Sequence, residues 1–142
     1  MYKPPFLFRG PTRFPHFQAS IAKLEEESKD QDGLNFTIAI NYGSRDEICR
    51  AVKKIVAEGI APEDITEQVI SDHLDTAGIP DPDLLIRTSG ELRLSNYLMW
   101  QLAYTEFYFT DVPWPDFNKA ELEKAIEKYN GRDRRYGGVK EE

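Results

Sequence analysis

The sequence predicts an α/β protein, a partial parallel sheet flanked by helices. Three observations carry that prediction. Runs of β-branched and apolar residues at 34–40 and 84–86 read as strands covered on both faces. Two amphipathic segments lie between them. The resulting order of strand, helices and strand is that of a crossover unit joining parallel strands. A chain of 142 residues has room for one core of ordinary size, so residues 1–142 are read as one domain.

Near the start, Phe6-Leu7-Phe8 is a short apolar stretch closed by Arg9-Gly10-Pro11, which suits a strand. From Pro15 to about Ser28 the spacing of Phe17, Ile21 and Leu24 is helical, with Lys23 and Glu25 to Glu27 on the wet side. Lys29 to Gly33 is a polar stop, and the strand over 34–40 leaves through the turn Asn41-Tyr42-Gly43. Ser44 with Glu47 three positions later is a capping-box signature. Ile48, Val52, Ile55 and Val56 then continue one apolar face to about Glu58. A further helix is predicted from Thr66 to about Asp75, burying Val69, Ile70, His73 and Leu74. Pro80 to Asp83 is a turn that delivers Leu84-Leu85-Ile86-Arg87 as a short strand.

Beyond it, Thr88-Ser89-Gly90 is a tight turn, and Ser95-Asn96 supplies cap residues for a short helix from Tyr97 to about Ala103. Glu106 to Thr110 alternates, placing Glu106, Tyr108 and Thr110 on the face opposite Phe107 and Phe109. Trp114 to Phe117 is an aromatic turn, after which Asn118 and Glu121 begin a last helix carrying Leu122, Ala125, Ile126 and Tyr129.

The balance of 18 Lys+Arg against 25 Asp+Glu gives a formal net charge of -7, which argues against non-specific nucleic-acid binding but leaves room for a local anion site. The single cysteine, Cys49, excludes an internal disulfide and is read as buried packing, in keeping with a reducing, cytoplasmic setting. No apolar run is long enough to span a membrane.

Three groups of residues suit chemistry. In Arg87 to Asn96, two guanidinium groups, the Ser95 hydroxyl and free N–H groups at a helix start would converge on an anion such as a diphosphate, at the carboxyl end of a parallel strand. The alternative is that the arginines pair with Glu91, Asp81 or Asp83 and Ser95 only caps a helix. Glu106 is either a Mg²⁺ ligand that also uses substrate oxygens or a half-exposed strand residue bonded to a neighbour. Arg132, Arg134 and Arg135, followed by Gly137-Gly138, either wrap a phosphate or form a solvated helix end.

Pro82-Asp83-Leu84-Leu85-Ile86-Arg87-Thr88-Ser89-Gly90-Glu91-Leu92-Arg93-Leu94-Ser95-Asn96, with Trp100 to Tyr104, Glu106 to Asp111 and Trp114 to Phe117, resembles the signature of the cis-prenyltransferases (undecaprenyl diphosphate synthase or isoprenyl transferase). Asn41-Tyr42-Gly43 with Arg45 and Glu47, and the closing Arg134-Arg135-Tyr136-Gly137-Gly138, support the likeness. It implies half of that fold and the condensation of isopentenyl diphosphate with an allylic diphosphate, using Mg²⁺. By resemblance, Arg87, Arg93, Ser95 and the backbone at Leu94 bind isopentenyl diphosphate, Glu106 is a Mg²⁺ ligand, and Arg135 with Gly137 reaches the diphosphate across a dimer. The family's Asp-Gly-Asn-Gly-Arg-Trp and Phe-Ser-x-Glu-Asn-Trp motifs have no counterpart here. The expectation is therefore a C-terminal half that keeps the isopentenyl diphosphate subsite, holds no assigned catalytic residue and is inactive alone. The alternative is a non-catalytic partner subunit. A homodimer, or association with a full-length homologue, is expected, in the cytoplasm or peripheral to a membrane and without nucleic acid.

Overall fold

A computed structural model describes residues 6–8 and 15–132, with side chains from residue 18 onward. It forms two compact units, one of residues 1–80 with 96–98 and one of residues 81–95 with 99–142.

The first unit opens with strand β1 (Phe6–Phe8), helix α1 (Pro15–Ser28) and strand β2 (Ile38–Ile40). β2 lies parallel to β1, with Phe6 opposite Ile38 and Phe8 opposite Ile40, so the crossover helix is α1. A second crossover of this kind, inside the first unit, was not foreseen in the sequence. β2 is also shorter than the predicted strand over 34–40, and Leu34 and Phe36 are exposed, not covered.

Helix α2 (Ser44–Ala57) buries Ser44, Glu47, Ala51 and Ile55, spaced by three, four and four residues. Of the predicted apolar face, Ile55 is buried and Ile48 half-buried, whereas Val52 and Val56 are exposed, and Cys49 is exposed as well, not buried as expected. The capping box does not form: Gly43 is the N-cap, and no side-chain cap bond is made there. The first two N–H groups go elsewhere, Ser44 N–H to the Asn96 carbonyl at 2.8 Å and Arg45 N–H to Asn96 Oδ1 at 2.9 Å. That approach explains the glycine at 43, where a Cβ would lie 2.8 Å from Asn96 Nδ2. Tyr97 follows with an edge-on contact to Tyr42, ring centroids 5.6 Å apart.

Helix α3 (Glu67–His73) starts at Thr66, whose hydroxyl accepts from Val69 N–H at 3.2 Å. It ends two residues before the predicted limit because Leu74 turns extended, and Leu74 alone of the predicted set is fully buried. Polar contacts bind α3 to α2. Arg50 donates to both Asp75 oxygens at 2.8 and 2.6 Å, and to Asp46 at 2.7 Å. Glu47 accepts from Asp75 N–H at 2.8 Å and from the Tyr42 hydroxyl. His73 Nε2 meets Glu58 at 3.0 Å.

In the second unit, strands β3 (Leu84–Arg87) and β4 (Glu106–Phe109) pair in parallel, Leu84 opposite Glu106 and Arg87 opposite Phe109. Helix α4 (Lys119–Asn130) begins as predicted: Asn118 Oδ1 accepts from Ala120 N–H at 2.9 Å and from Glu121 N–H. Ala125 is fully buried, and Trp114 stacks on Phe117 in the turn before it. The predicted helix from Tyr97 to Ala103 is absent; residues 95–104 are turns. Ser95, Asn96 and Leu98 have φ of 51°, 62° and 43°, the left-handed region in which no right-handed helix propagates.

Candidate functional site

Parallel pairing places the two ends of β3 and β4 in different surroundings. At the carboxyl end, Ser89 N–H donates to Val112 O at 3.0 Å and Gly90 N–H to Thr110 O at 2.9 Å, so the turn after β3 continues alongside β4. Ser89 and Gly90 have φ of 65° and 69°. A Cβ on Gly90 would also meet Asp111 Oδ1 at 3.0 Å, which suits glycine at this position twice over. The chain from Thr88 to Ser95 that leaves this end forms neither helix nor strand.

Within this loop the structure brings Arg87 and Ser95 together, with Arg87 Nη2 3.5 Å from Ser95 Oγ, at the outer limit of a hydrogen bond. Arg87 is half-buried at the strand end and Ser95 is exposed. Arg93 is paired with Glu91, as the alternative reading held, on a side chain 67% exposed. An exposed pair of this kind is worth roughly 0–1 kcal/mol, so an incoming anion can recruit Arg93 at small cost. Leu94 is half-buried between them in sequence. The N–H groups expected of a helix start after Ser95 are not offered here, since that helix does not form.

Glu106 lies at the other end of the pair, at the first residue of β4. Its register partner is Leu84, three positions before Arg87, which separates the Glu106 and Arg87 backbones by about 10 Å along the strands. The Glu106 carboxylate is paired with the Arg132 guanidinium, which also donates to Phe107 O at 3.0 Å. Arg132 thus has a carboxylate partner, 26 residues away, that sequence reasoning missed. Arg135 and Gly137, the remaining expected site residues, lie outside the described residues.

Among the described residues, no three His, Cys, Asp or Glu side chains cluster as a metal site. A single carboxylate still fits Mg²⁺ in one situation. That ion keeps several waters and is commonly held by one or two carboxylates together with substrate phosphates. Glu106 therefore fits as one protein ligand, not as a complete site.

The undecaprenyl diphosphate synthase family model (Prenyltransf) matches residues 12–137. The chain belongs to this family. An isoprenyl transferase from Fusobacterium nucleatum is 57% identical over 123 residues, covering 87% of this chain and 52% of that protein. One from Geobacillus kaustophilus is 56% identical over 128 residues, covering 87% and 50%. Among solved structures, the lavandulyl diphosphate synthase from Lavandula x intermedia, crystallised with dimethylallyl diphosphate, superimposes with a TM-score of 0.82 at 44% identity. It is matched over 88% of this chain and 56% of that one. The chain thus spans about half the length of the curated relatives it matches. Family membership accounts for the motif running from Pro82 to Phe117, and the α/β architecture with parallel strands agrees with that of its structural neighbour. No helix among the described residues is long and apolar enough to cross a membrane.

Proposed function

We propose that these 142 residues form the isopentenyl diphosphate half of a cis-prenyltransferase, an enzyme that joins isopentenyl diphosphate to an allylic diphosphate. The observation that carries this reading is the Arg87 to Ser95 loop at the carboxyl end of β3 in a chain of this family. Arg87 and Arg93 supply planar donors that suit phosphate oxygens, the Ser95 hydroxyl adds a third contact, and the backbone at Leu94 a fourth. Glu106 is the one protein ligand offered to Mg²⁺, which when bound offsets diphosphate charge. Arg135 and Gly137 complete the anion clamp from the tail, within a homodimer or against a full-length relative. With about half of a relative's length, these residues bind the diphosphate and do not condense it alone. A cytoplasmic setting, peripheral to the membrane, completes the proposal.

Calorimetry with isopentenyl diphosphate, with and without Mg²⁺, tests it. Binding by the 142-residue chain is expected, and Arg87→Ala should weaken it about ten- to a hundredfold, the loss of charge-assisted hydrogen bonds. No heat from the unaltered chain, or equal affinity for the variant, would overturn the assignment. A rise in the turnover of a full-length relative on mixing would instead favour the partner-subunit reading.

A further inference from the structure

We infer that Arg132 is a placeholder cation on Glu106, one that competes with a divalent ion for the carboxylate. The inference rests on the proposed reading of Glu106 as a metal ligand. Arg132 bonds β4 twice, through Nη1 to Glu106 Oε2 and through Nη2 to Phe107 O at 3.0 Å. Its backbone N–H closes the end of α4 on Tyr129 O at 3.2 Å, so the guanidinium springs from the negative end of the helix dipole. Lys128, the cation one turn earlier, is turned to the Tyr108 ring instead, 5.5 Å from its centroid.

A guanidinium and a dication cannot share one carboxylate oxygen. Mg²⁺ needs oxygen lone pairs at about 2.0–2.1 Å, and two cations crowded on one acceptor repel. The described residues offer no cluster of ligating side chains through which the ion could bypass Glu106. Arg132 holds Oε2, so an ion at either oxygen of Glu106 is opposed by the guanidinium, and loading the carboxylate weakens the hold on Arg132, the residue just before the arginine-rich segment 133–135. Arg132 acts as a positioning residue: it keeps Glu106 oriented and neutralised until the ion arrives.

The test is Mn²⁺ binding by the full chain, followed by electron paramagnetic resonance. Arg132→Gln should bind Mn²⁺ about fivefold more tightly, the worth of a half-exposed ion pair. Lys128→Gln, which removes an equal charge from the same helix end, should stay within about twofold. The Arg132→Gln/Glu106→Gln double variant should lose the gain. In the unaltered chain, Mg²⁺ should shift the arginine Nε–Hε resonance of Arg132 saturably, and Glu106→Gln should abolish that shift, a readout that needs no Arg132 variant to fold. If Glu106→Gln weakens Mn²⁺ binding while Arg132→Gln brings no gain, the placeholder idea fails and the ligand reading stands. An unaltered Mn²⁺ affinity in Glu106→Gln removes the ligand reading itself and the placeholder with it. The absence of gain in Arg132→Gln, binding too weak to detect in both chains included, also counts against the placeholder.

Discussion

Replacing Glu47 with alanine should destabilise the fold by about 3 kcal/mol, a large share of the roughly 5–15 kcal/mol that holds a domain together. The side chain is 1% exposed, and its carboxylate accepts from Asp75 N–H at 2.8 Å and from the Tyr42 hydroxyl. Hydrogen bonds to a charged acceptor contribute about 1.5–3 kcal/mol each, and a buried donor left alone costs about 1–3 kcal/mol. Two such losses set an upper range near 6 kcal/mol. Tyr42 is only half-buried and can turn its hydroxyl toward water, which brings the figure to about 3. Glu47→Gln keeps an acceptor for Asp75 N–H and should cost about 1 kcal/mol. Urea unfolding followed by circular dichroism reads the difference: with a slope of about 2 kcal/mol per M, the alanine variant should lose about 1.5 M in midpoint. The Tyr42 phenol, raised well above its ordinary value by burial and then by the Glu47 bond, reports the same contact. Its ultraviolet titration should move down in both variants. A loss below about 1 kcal/mol in Glu47→Ala would show that both donors find water without cost, refuting the reasoning.

His73 is held above its ordinary 6.5 first by the Glu58 carboxylate and then by Val69 O, against smaller opposing effects of burial and Lys54. A raised folded value means its stabilisation is fully present below pH 6.5 and fades as pH rises through the folded value, so the gap in urea midpoint between the unaltered chain and His73→Gln should shrink from pH 5.5 to pH 9; a constant gap would contradict it. Gly43→Ala should cost about 1–2 kcal/mol although its φ of -153° is one that alanine adopts, because the Cβ would press on an Asn96 amide that Arg45 N–H holds in place; an unchanged urea midpoint would show that the amide yields freely.

Elements whose signals are local were legible in the sequence. Asn118 capping α4, the β3 strand after the Pro80 to Asp83 turn, and α1 from Pro15 to Ser28 all depend on neighbours within a few positions. What escaped depends on distant partners. The apolar period of α2 pointed to Ile48, Val52, Ile55 and Val56; Ile55 is buried, but Val52 and Val56 are exposed, and the buried line continues through Ser44 and Glu47, polar residues whose partners come from Asn96, Tyr42 and Asp75. The helix expected at Tyr97 to Ala103 was lost for a related reason. Ser95, Asn96 and Leu98 carry no glycine signal, yet all three sit at positive φ, with Asn96 serving the start of α2. Of the site, the Arg87 with Ser95 pairing was foreseeable from one loop; the claim of Arg132 on Glu106 was not.

The register of β3 and β4 refines what the motif can mean chemically. A motif running from Arg87 to Glu106 suggests one cluster, but parallel pairing sends its first and last members to opposite ends of the strands. A helix that follows a strand and returns antiparallel ends beside the strand's beginning, which is where α4 delivers Arg132. The carboxyl end is thereby left with unengaged donor capacity at Arg87 and a cheaply opened Arg93, while the amino end carries a carboxylate already matched by a cation. In the proposed reading an anion is drawn to the first end by charge it can use at once. In the same reading a cation reaches the second against a guanidinium already in place, so a Mg²⁺ held jointly by Glu106 and a diphosphate carries that electrostatic cost.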